Sequence, residues 1–424
     1  MKRVAILGGA RIPFARAGGA YAEAGNQDML TAAFRFLVDK FSLKGEKLGE
    51  VAAGAVIKHS RDWNLARECT LGSGLHPETP AYDLQRACGT SLSAAAQLAN
   101  RIALGEIDSG VAGGADSASD VPLALGKKLR RILMKSHRGR SFFEKAAPWG
   151  HLRPRDLAPI APGIAEPRTG MSMGEHCEAM AKEWQIGRRE QDELALQSHR
   201  NAAAAWQAGF FGDLVAPFNN LSRDNNVRPD TTLEKLQSLR TAFDAAGTLT
   251  AGNSSPLTDG AACVLLASED WASSRGIPIQ AYLTFAETAA VDFVGMAGPR
   301  EGMLMAPAYA VPRMLDRAGI RLQDFDIYEI HEAFAAQVLC TLKAWESPEF
   351  CSSKLKRKEV LGKIDRTKMN PKGSSVAIGH PFAATGARII ATLAKQLAER
   401  GAGRGLISIC AAGGMGVTAI LERS

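Results

Sequence analysis

A cysteine before a predicted helix is the first candidate for chemistry in this chain. Cys88 lies in the run Gln-Arg-Ala-Cys-Gly-Thr-Ser at residues 85–91, after a short extended segment and before a long helical pattern. The positive end of a helix dipole favours thiolate over thiol, and the thiolate is the nucleophile of acyl-transfer chemistry. A single cysteine is more often a small buried apolar residue, so this motif alone leaves both interpretations open.

The second candidate is a histidine in a turn. His380 stands between Gly379 and Pro381, directly before another helical pattern that is rich in small residues. Glycine and proline on either side indicate a turn, which exposes the side chain to a cleft rather than packing it in a core. His380 could therefore be the base that takes the proton of Cys88. A structural role is the alternative for a single histidine.

A second cysteine and a second histidine complete the set. Cys410 ends a predicted strand before the Gly-rich run at 413–416, and its thiol could donate or accept a proton. Small residues would let backbone N–H groups of that turn approach a substrate oxygen, although a buried cysteine beside a tight turn is the plainer reading. His331 opens the run His-Glu-Ala-Phe-Ala, where Ala335 replaces the second histidine of the zinc motif HExxH, so the metalloprotease interpretation fails. At a strand-to-helix junction, His331 could donate a hydrogen bond to a thioester oxygen.

These four segments, with a fifth at residues 250–262, resemble the motifs of the thiolase family in the right order over essentially the whole chain. The resemblance implies an acyl-cysteine mechanism on 3-oxoacyl-CoA. In it Cys88 attacks the ketone carbon, His380 activates the thiol, and Cys410 protonates the departing enolate. A second coenzyme A then takes the shortened acyl chain. Coenzyme A is thus a substrate, and neither a metal nor a redox cofactor is implied.

The resemblance also assigns the groups that would hold oxygens and coenzyme A. The side chains of His331 and His380 would form one oxyanion site. The backbone N–H groups of Cys88 and Ala412 would form the other. Ser255 matches a family position that contacts the pantetheine arm, with a turn hydroxyl bonded to its own backbone as the alternative.

One departure favours a branch of the family. Many thiolases carry Asn where this chain has His331, and His at that position resembles the β-subunit of the fatty-acid-oxidation trifunctional complex and its bacterial relatives. The run at 170–175, which includes Met173 as a candidate substrate contact, resembles the same branch. This favours a degradative 3-oxoacyl-CoA thiolase of β-oxidation. The alternatives are an acetoacetyl-CoA thiolase run as a Claisen condensation and a ketoacyl-synthase-like condensing enzyme, which would lack Cys410. A catalytically silent scaffold is disfavoured because all four reactive residues are present.

The elements that must hold these residues alternate along the chain. Short apolar runs alternate with helical patterns, which predicts an α/β fold with mainly parallel sheets. A weak internal repeat predicts two related sheets, because Cys88 and His380 each precede a small-residue helix, a strand and a Gly-Gly pair. The alternative is that any α/β chain repeats strands, glycines and helices in this way. The predicted strands cover residues 4–7, 51–57, 110–114, 261–267, 326–330 and 405–410, and the predicted helices cover residues 31–41, 90–104, 175–185, 188–208, 331–345 and 385–400.

The resemblance implies the thiolase fold, an α/β fold with two similar βαβαβαββ core domains in five α-β-α-β-α layers plus an inserted loop domain. We place the N-terminal core domain at residues 1–120 with 249–276. The loop domain covers residues 121–248, where strong strands are missing and Pro, Arg, Gly and Asn are frequent. The C-terminal core domain covers residues 277–424.

Composition narrows the class of protein. The chain has 424 residues, a net charge of +7 and seven cysteines. No apolar run is long enough to span a membrane, and widely spaced cysteines without CxxC pairs suit a reducing compartment, so we expect a cytoplasmic protein. The positive charge favours anionic partners, but no nucleic-acid-binding motif accompanies it. By resemblance we expect a homodimer or tetramer, with a hydratase/dehydrogenase partner subunit as a further option.

A basic segment at residues 127–140 is compatible with several roles. Residues 127–140 carry seven cations and no acidic residue, and the leucine and isoleucine residues among them have helical spacing. The pattern is typical of an amphipathic helix that touches an anionic membrane or a partner subunit. Steering of coenzyme A phosphates and a solvated helix face are the alternatives. The cations are Lys127, Lys128, Arg130, Arg131, Lys135, Arg138 and Arg140.

Overall fold

Ten strands and fourteen helices organise the chain, and the computed structural model describes residues 1–424. The strands are β1 (Val4–Arg11), β2 (Ala15–Arg16), β3 (Glu50–Ala53), β4 (Ala81–Asp83), β5 (Ser109–Asp116), β6 (Thr258–Ser268), β7 (Ala281–Ala290), β8 (Ile327–Ile330), β9 (Gly403–Ala411) and β10 (Met415–Arg423). The helices are α1 (Asn26–Lys40), α2 (Leu65–Ser73), α3 (Thr90–Leu104), α4 (Lys127–Arg138), α5 (Phe142–Ala146), α6 (Met173–Glu183), α7 (Arg188–Gln207), α8 (Leu233–Gln237), α9 (Glu269–Ser274), α10 (Ala306–Ala318), α11 (Ala335–Glu346), α12 (Pro348–Ser353), α13 (Ser375–Ile378) and α14 (Thr385–Arg400).

The strand order is the same in the two halves of the chain. The first half has the order β4-β3-β5-β6-β1, and the second has the order β8-β9-β10-β7. Strand β3 thus corresponds to β8, β5 to β9, β6 to β10 and β1 to β7. Strand β4 has no full counterpart, but Met369 forms a parallel bridge with Tyr328 of β8 at the equivalent edge. This common order confirms the internal repeat that the sequence suggested, although pairing of β1 with β7 joins the two halves into one continuous sheet.

The expectation of mainly parallel sheets is wrong. Only the pairs β3–β4, β3–β5 and β8–β9 are parallel, because the long central strands β6, β1, β7 and β10 pair antiparallel with their neighbours.

The layers follow from the alternation of side chains along the strands. In β6, Val264 belongs to the core that contains α3 and α14, whereas its neighbour Leu265 faces the core formed with α1 and α2. In β10, Ala419 faces α14, whereas Ile420 faces the core formed with α10 and α11. Helices α3 and α14 therefore lie between the two half-sheets, and the other helices cover the outside. This is the expected five-layer α-β-α-β-α arrangement.

The two central helices meet closely near their first turns. Ser91 Oγ of α3 accepts a hydrogen bond from the N–H of Ala387 in α14 at 2.8 Å. A Cβ on Gly386 would collide with the backbone nitrogen of Leu92, so only glycine permits this approach. The crossing brings together the turns that precede α3 and α14. Cys88 and His380 stand in those two turns.

The segment between β5 and β6 is the excursion predicted from the sequence. It carries α4 to α8, and α6 and α7 pack against α11 of the second half. A buried ion pair ties it to β1, because Arg11 donates to both carboxylate oxygens of Asp224 at 2.6 and 2.7 Å. The excursion therefore spans both halves. No helix in the chain has the combination of length and apolar content that crossing a membrane requires.

One predicted element begins later than expected. The helix predicted at 331–345 starts at Ala335, and Phe334 is extended with φ −142° and ψ 142°. The cause lies in the segment before β6, because Ser254 bridges Phe334 and the N–H of Ser255 donates to the carbonyl of Ala333 at 2.9 Å. His331 therefore lies in an extended connector and not at a helix start.

Candidate active site

Cys88 is presented by a tight turn. Ala87, which precedes it, has a left-handed φ of 44°, a conformation that costs a residue with a Cβ some energy. Thr90 holds this turn, because its hydroxyl accepts from the N–H of Arg86 at 2.9 Å and donates to the carbonyl of Ala87 at 2.7 Å. This strained turn holds the Cys88 side chain between the two half-sheets, just before the first turn of α3.

The surroundings of Cys88 oppose the thiolate that its position before a helix would favour. Helix α3 begins at Thr90 with Gly89 as its N-cap, so Cys88 lies outside the helix. Burial raises the pKa of the Cys88 thiol to about 12, although hydrogen bonds from the N–H groups of Ala412 and of Cys88 itself oppose the rise. Cys88 itself is half-buried, and desolvation by the surrounding halves is the largest influence on its pKa. This influence favours the neutral thiol over the thiolate.

His380 faces Cys88 with a defined nitrogen. Its Nε2 lies 3.1 Å from Cys88 Sγ, and its Nδ1 lies 2.6 Å from Thr385 Oγ1. The Thr385 hydroxyl donates to the carbonyl of Pro381 at 3.1 Å, so its oxygen accepts a hydrogen bond from Nδ1–H. This assignment leaves the lone pair of Nε2 directed at the thiol. Burial, with the nearby charge of Arg388, lowers the pKa of His380 to about 3, so the base is neutral.

His331 lies against His380. The two ring centroids are 4.1 Å apart with an interplanar angle of 49°, and His331 is fully buried. Its Nδ1 contacts Ser375 Oγ at 2.8 Å, whereas its Nε2 has no hydrogen-bond partner. A fully buried ring nitrogen without a partner is costly unless a ligand meets it. Donation to a substrate oxygen would satisfy this atom.

Cys410 and the Gly-rich turn close the site from the other half. Cys410 is buried near the end of β9, and burial together with the proximity of Cys88 raises its thiol pKa well above the usual value. Gly413 and Gly414 have φ values of 77° and 71°, which let the chain reverse directly into β10. The reversal leaves the N–H of Ala412 close enough to hydrogen-bond the sulfur of Cys88.

The backbone pair named from the resemblance therefore converges on one atom. The N–H groups of Ala412 and Cys88 both lie near enough to Cys88 Sγ to lower its pKa, and a substrate carbonyl carbon would be attached to that sulfur. Two amides at that position could bind the oxygen of a tetrahedral adduct. The ring nitrogens of His331 and His380 and the Cys88 sulfur also lie within 4.8 Å of one another. That set of ligands could hold a zinc ion, but the resemblance implies none.

Ser255 and Met173 lie at the periphery of the site and not beside the sulfur of Cys88. Ser255 is half-buried, and its N–H bonds the connector that carries His331. Met173 is the first residue of α6 and packs, half-buried, on the C-terminal core. Neither position contradicts a contact with coenzyme A, and both assignments remain predictions.

Sequence reasoning missed the residues that orient the reactive groups. Thr385 and Arg388 lie in the helical pattern that follows His380, and an arginine among the small and apolar residues of a central helix is itself a signal. Asp116, at the end of β5, accepts hydrogen bonds from the N–H groups of Ile57 and Ala383 at 2.6 and 2.7 Å. It thereby links the first half-sheet to the turn of His380. Only the fold brings these partners together.

The fold and the site define an acyl-transferring enzyme of two related halves with a cysteine and a histidine at their interface. Two models of one protein family match this chain. The thiolase N-terminal domain matches residues 4–270, and the thiolase C-terminal domain matches residues 284–423. The chain belongs to the thiolase family, and it is an acyltransferase. The predictions of fold, family and enzyme class are confirmed.

Similar proteins agree over the full length. The chain is 43% identical over 427 residues to the 3-ketoacyl-CoA thiolase of Yersinia pestis (strain Pestoides F), covering 99% of this chain and 97% of the relative. The 3-ketoacyl-CoA thiolase of Yersinia pseudotuberculosis serotype O:1b (strain IP 31758) matches to the same extent. The crystal structure of the Bacillus anthracis acetyl-CoA acetyltransferase superposes with a TM-score of 0.82 at 31% identity, covering 100% of this chain and 99% of that one.

Proposed function

We propose that the enzyme cleaves 3-oxoacyl-CoA with coenzyme A to give acetyl-CoA and an acyl-CoA shortened by two carbons, as a step of fatty-acid β-oxidation. The observation that carries this proposal is the contact of 3.1 Å between Cys88 Sγ and His380 Nε2 beside a second buried cysteine, Cys410. Full-length similarity to proteins named 3-ketoacyl-CoA thiolase supports the degradative direction.

In the first half-reaction the Cys88 sulfur attacks the C3 carbonyl carbon while its proton passes to His380 Nε2. The two backbone N–H groups at the sulfur, of Cys88 and Ala412, hold the oxygen of the tetrahedral adduct. The C2–C3 bond then breaks, which leaves an acyl thioester on Cys88 and the enolate of acetyl-CoA. Cys410 gives its proton to C2 of that enolate. The enolate oxygen rests on the Nε2–H groups of His331 and His380.

The second half-reaction releases the shortened chain. The thiol of coenzyme A gives its proton to Cys410, which restores that thiol, and the CoA sulfur attacks the acyl carbon on Cys88. The adduct collapses, and the departing Cys88 sulfur takes back the proton held by His380. Coenzyme A is consumed as a substrate, and none of these steps uses a metal ion or a redox group.

The neutral resting pair suits this order of events. Because Cys88 is a thiol and His380 a free base, proton transfer accompanies attack instead of preceding it. His380 Nε2 then carries the proton and becomes a donor at the moment when the enolate oxygen forms. One nitrogen thus serves first as a base and then as an oxyanion donor.

A direct assay tests the function. CoA-dependent cleavage is measured on 3-oxoacyl-CoA substrates from four to sixteen carbons, with the Cys88→Ala variant as control. Cleavage across this range, abolished in the variant, is the expected result. Activity limited to the four-carbon substrate would favour the acetoacetyl-CoA alternative, which the acetyl-CoA acetyltransferase neighbour also represents. Full activity of Cys88→Ala would overturn the nucleophile assignment.

The surface of the excursion supports a membrane contact. Helix α4 buries only Leu129 and Ile132 and packs on the short helices that follow it. Its cations therefore face outward beside many exposed apolar side chains. Anionic lipid offers both charges and an apolar layer to such a surface. The exposed apolar residues are Leu123, Leu125, Met134, Phe142, Phe143, Trp149, Leu157, Ile160 and Ile164.

Co-sedimentation with liposomes checks this part of the proposal. Vesicles with anionic lipid should retain the enzyme at moderate salt, whereas neutral vesicles should not. The double variant Phe142→Ser/Phe143→Ser should bind less, because both rings are more than three-quarters exposed and little folding energy depends on them. Absence of binding to anionic vesicles would leave a partner subunit, such as a hydratase/dehydrogenase, as the occupant. Within this proposal the enzyme works in the cytoplasm as a homodimer or tetramer.

A further inference from the structure

The tautomer of His331 decides whether it can do the work proposed for it. The ring is fully buried, Nδ1 lies 2.8 Å from Ser375 Oγ, and Nε2 is unpartnered. A neutral imidazole carries one proton on one of its two nitrogens. Nε2 can donate to an oxygen only if the proton is there. If Nδ1 held the proton, the lone pair of Nε2 would repel a developing oxyanion.

The second partner of Ser375 resolves the ambiguity. Arg388 Nη2 lies 2.8 Å from the same Ser375 Oγ. A guanidinium can only donate, so Ser375 Oγ accepts from Arg388. The hydroxyl proton of Ser375 then has His331 Nδ1 as its acceptor. The opposite arrangement would bury that proton without an acceptor, which is unfavourable. The chain of donors therefore runs from Arg388 through Ser375 to His331 Nδ1, and the ring proton lies on Nε2.

Arg388, where this series of hydrogen bonds begins, is itself held in place. Arg388 lies on α14 at 1% exposure, and burial lowers its pKa only to about 10, so it stays charged at neutral pH. The buried carboxyl groups of Glu329 and Glu332 offset its charge. Glu332 is fixed in turn, because its oxygens accept from Ser198 at 2.7 Å and Asn370 at 2.7 Å. A positive charge at this end orients the Ser375 hydroxyl permanently toward His331.

A doubly protonated His331 would carry a proton on Nε2 whatever Ser375 does. The surroundings of the ring disfavour that charged form. Burial lowers the pKa of His331 well below its usual value, and the charge of Arg388 lowers it further. The ring is thus neutral near pH 7, where the position of its single proton matters. Donation into Nδ1 also polarises the ring and strengthens Nε2–H as a donor.

We propose that Ser375 and Arg388 are positioning residues that hold His331 in the Nε2–H tautomer, so that a buried and unpartnered N–H awaits the enolate oxygen. This inference rests on the proposed function for the identity of that oxygen. The tautomer itself does not depend on which substrate is used. Ser375 touches His331 and not the reacting atoms, so its effect on the reaction is expected to pass through the ring.

The first test reads the tautomer directly. A two-bond proton–nitrogen correlation spectrum of the ¹⁵N-histidine-labelled enzyme distinguishes the two tautomers, and the His331→Asn variant assigns the signal. The parent should show His331 protonated at Nε2, and Ser375→Ala should show a mixture or the Nδ1 form. A parent signal from Nδ1–H would overturn the proposal, whether or not the enzyme cleaves 3-oxoacyl-CoA.

The second test separates the two half-reactions. Ser375→Ala should lower kcat for C–C cleavage by about 10- to 100-fold, because only that step forms the enolate. Exchange of labelled coenzyme A into acyl-CoA forms no enolate and should stay near the parental rate. Ser375→Thr, which keeps the hydroxyl, should recover most of the cleavage rate. Equal loss of cleavage and exchange in Ser375→Ala would indicate a merely structural role and sink the proposal.

A matched control is available on β9. Ser408 is buried, its hydroxyl has no hydrogen-bond partner, and its backbone carbonyl accepts from the N–H of His331 at 2.9 Å. Ser408→Ala makes the same chemical change within reach of the same histidine and should leave both the tautomer and the cleavage rate near the parental values. If Ser408→Ala mimics Ser375→Ala, the effect does not belong to the Ser375 hydroxyl and the assignment fails.

Discussion

Cys88 Sγ and His380 Nε2 lie 3.1 Å apart although 292 positions separate them in the chain. Each residue stands in a turn before a central helix, and the two helices cross so closely at Gly386 that no side chain fits there. The internal repeat therefore explains the site. Corresponding positions of the two halves supply the nucleophile and the base, and the crossing of α3 and α14 brings them into contact.

The ionisation state of Cys88 can be measured directly. Its thiol pKa is raised to about 12 and that of His380 is lowered to about 3, so no thiolate–imidazolium pair forms at neutral pH. Thiolate absorbance, taken as the difference between the parent and Cys88→Ser, should stay absent from about pH 5 to 9 and increase only at higher pH. A thiolate signal that is already complete at pH 7 would contradict the neutral pair.

Thr385 should matter through the base. Its hydroxyl oxygen accepts a hydrogen bond from Nδ1–H of His380 at 2.6 Å, which keeps Nε2 free to accept from Cys88. Thr385→Val keeps the shape but removes the acceptor, and kcat should fall by about 10- to 100-fold. Thr385→Ser should retain most of the activity. A Thr385→Val variant with the parental kcat and thermal midpoint would show that Thr385 does not orient the ring.

The two reactive cysteines should separate by half-reaction. Cys410→Ala should lose C–C cleavage but retain exchange of labelled coenzyme A into acyl-CoA to a larger extent, because protonation of the enolate carbon requires a positioned donor, whereas the far more acidic thiol of coenzyme A can also exchange its proton with water. Cys340, buried in α11, offers the matched control, and Cys340→Ala should retain both reactions. Equal loss of the two reactions in Cys410→Ala would contradict this division of labour.

The ion pair between Arg11 and Asp224 should contribute strongly to stability. Both side chains are almost fully buried, and Arg11→Met leaves the carboxylate without its partner, which should lower the free energy of unfolding by about 3–5 kcal/mol. The exposed pair of Lys47 and Glu78, at 2.7 Å, is the comparison, and Lys47→Met should leave the free energy of unfolding nearly unchanged. Denaturant unfolding of the two variants measures both values. Similar losses would mean that the buried pair does not anchor the excursion to β1.

The sequence predicted much of the fold because its patterns are local. The helices at 90–104 and 385–400 were predicted with the bounds that α3 and α14 have, since small apolar residues at helical spacing end at glycine in both. The helix at 331–345 was misplaced at its start, because pairing with the segment before β6 holds Phe334 extended. That pairing joins parts of the chain that are about eighty positions apart, and no local pattern records it. The bounds of the three domains stay a prediction.

The sequence by itself determined which residues are reactive, the family and the α/β class, because motifs and periodicity depend on near neighbours along the chain. Only the tertiary structure decided the protonation of the site. Packing between the two half-sheets raises the pKa of Cys88 and so favours a thiol over the thiolate that a helix start suggested, because desolvation opposes charge. The same packing places Thr385 on His380 and the Arg388–Ser375 pair on His331, and such hydrogen bonds decide which ring nitrogens carry protons.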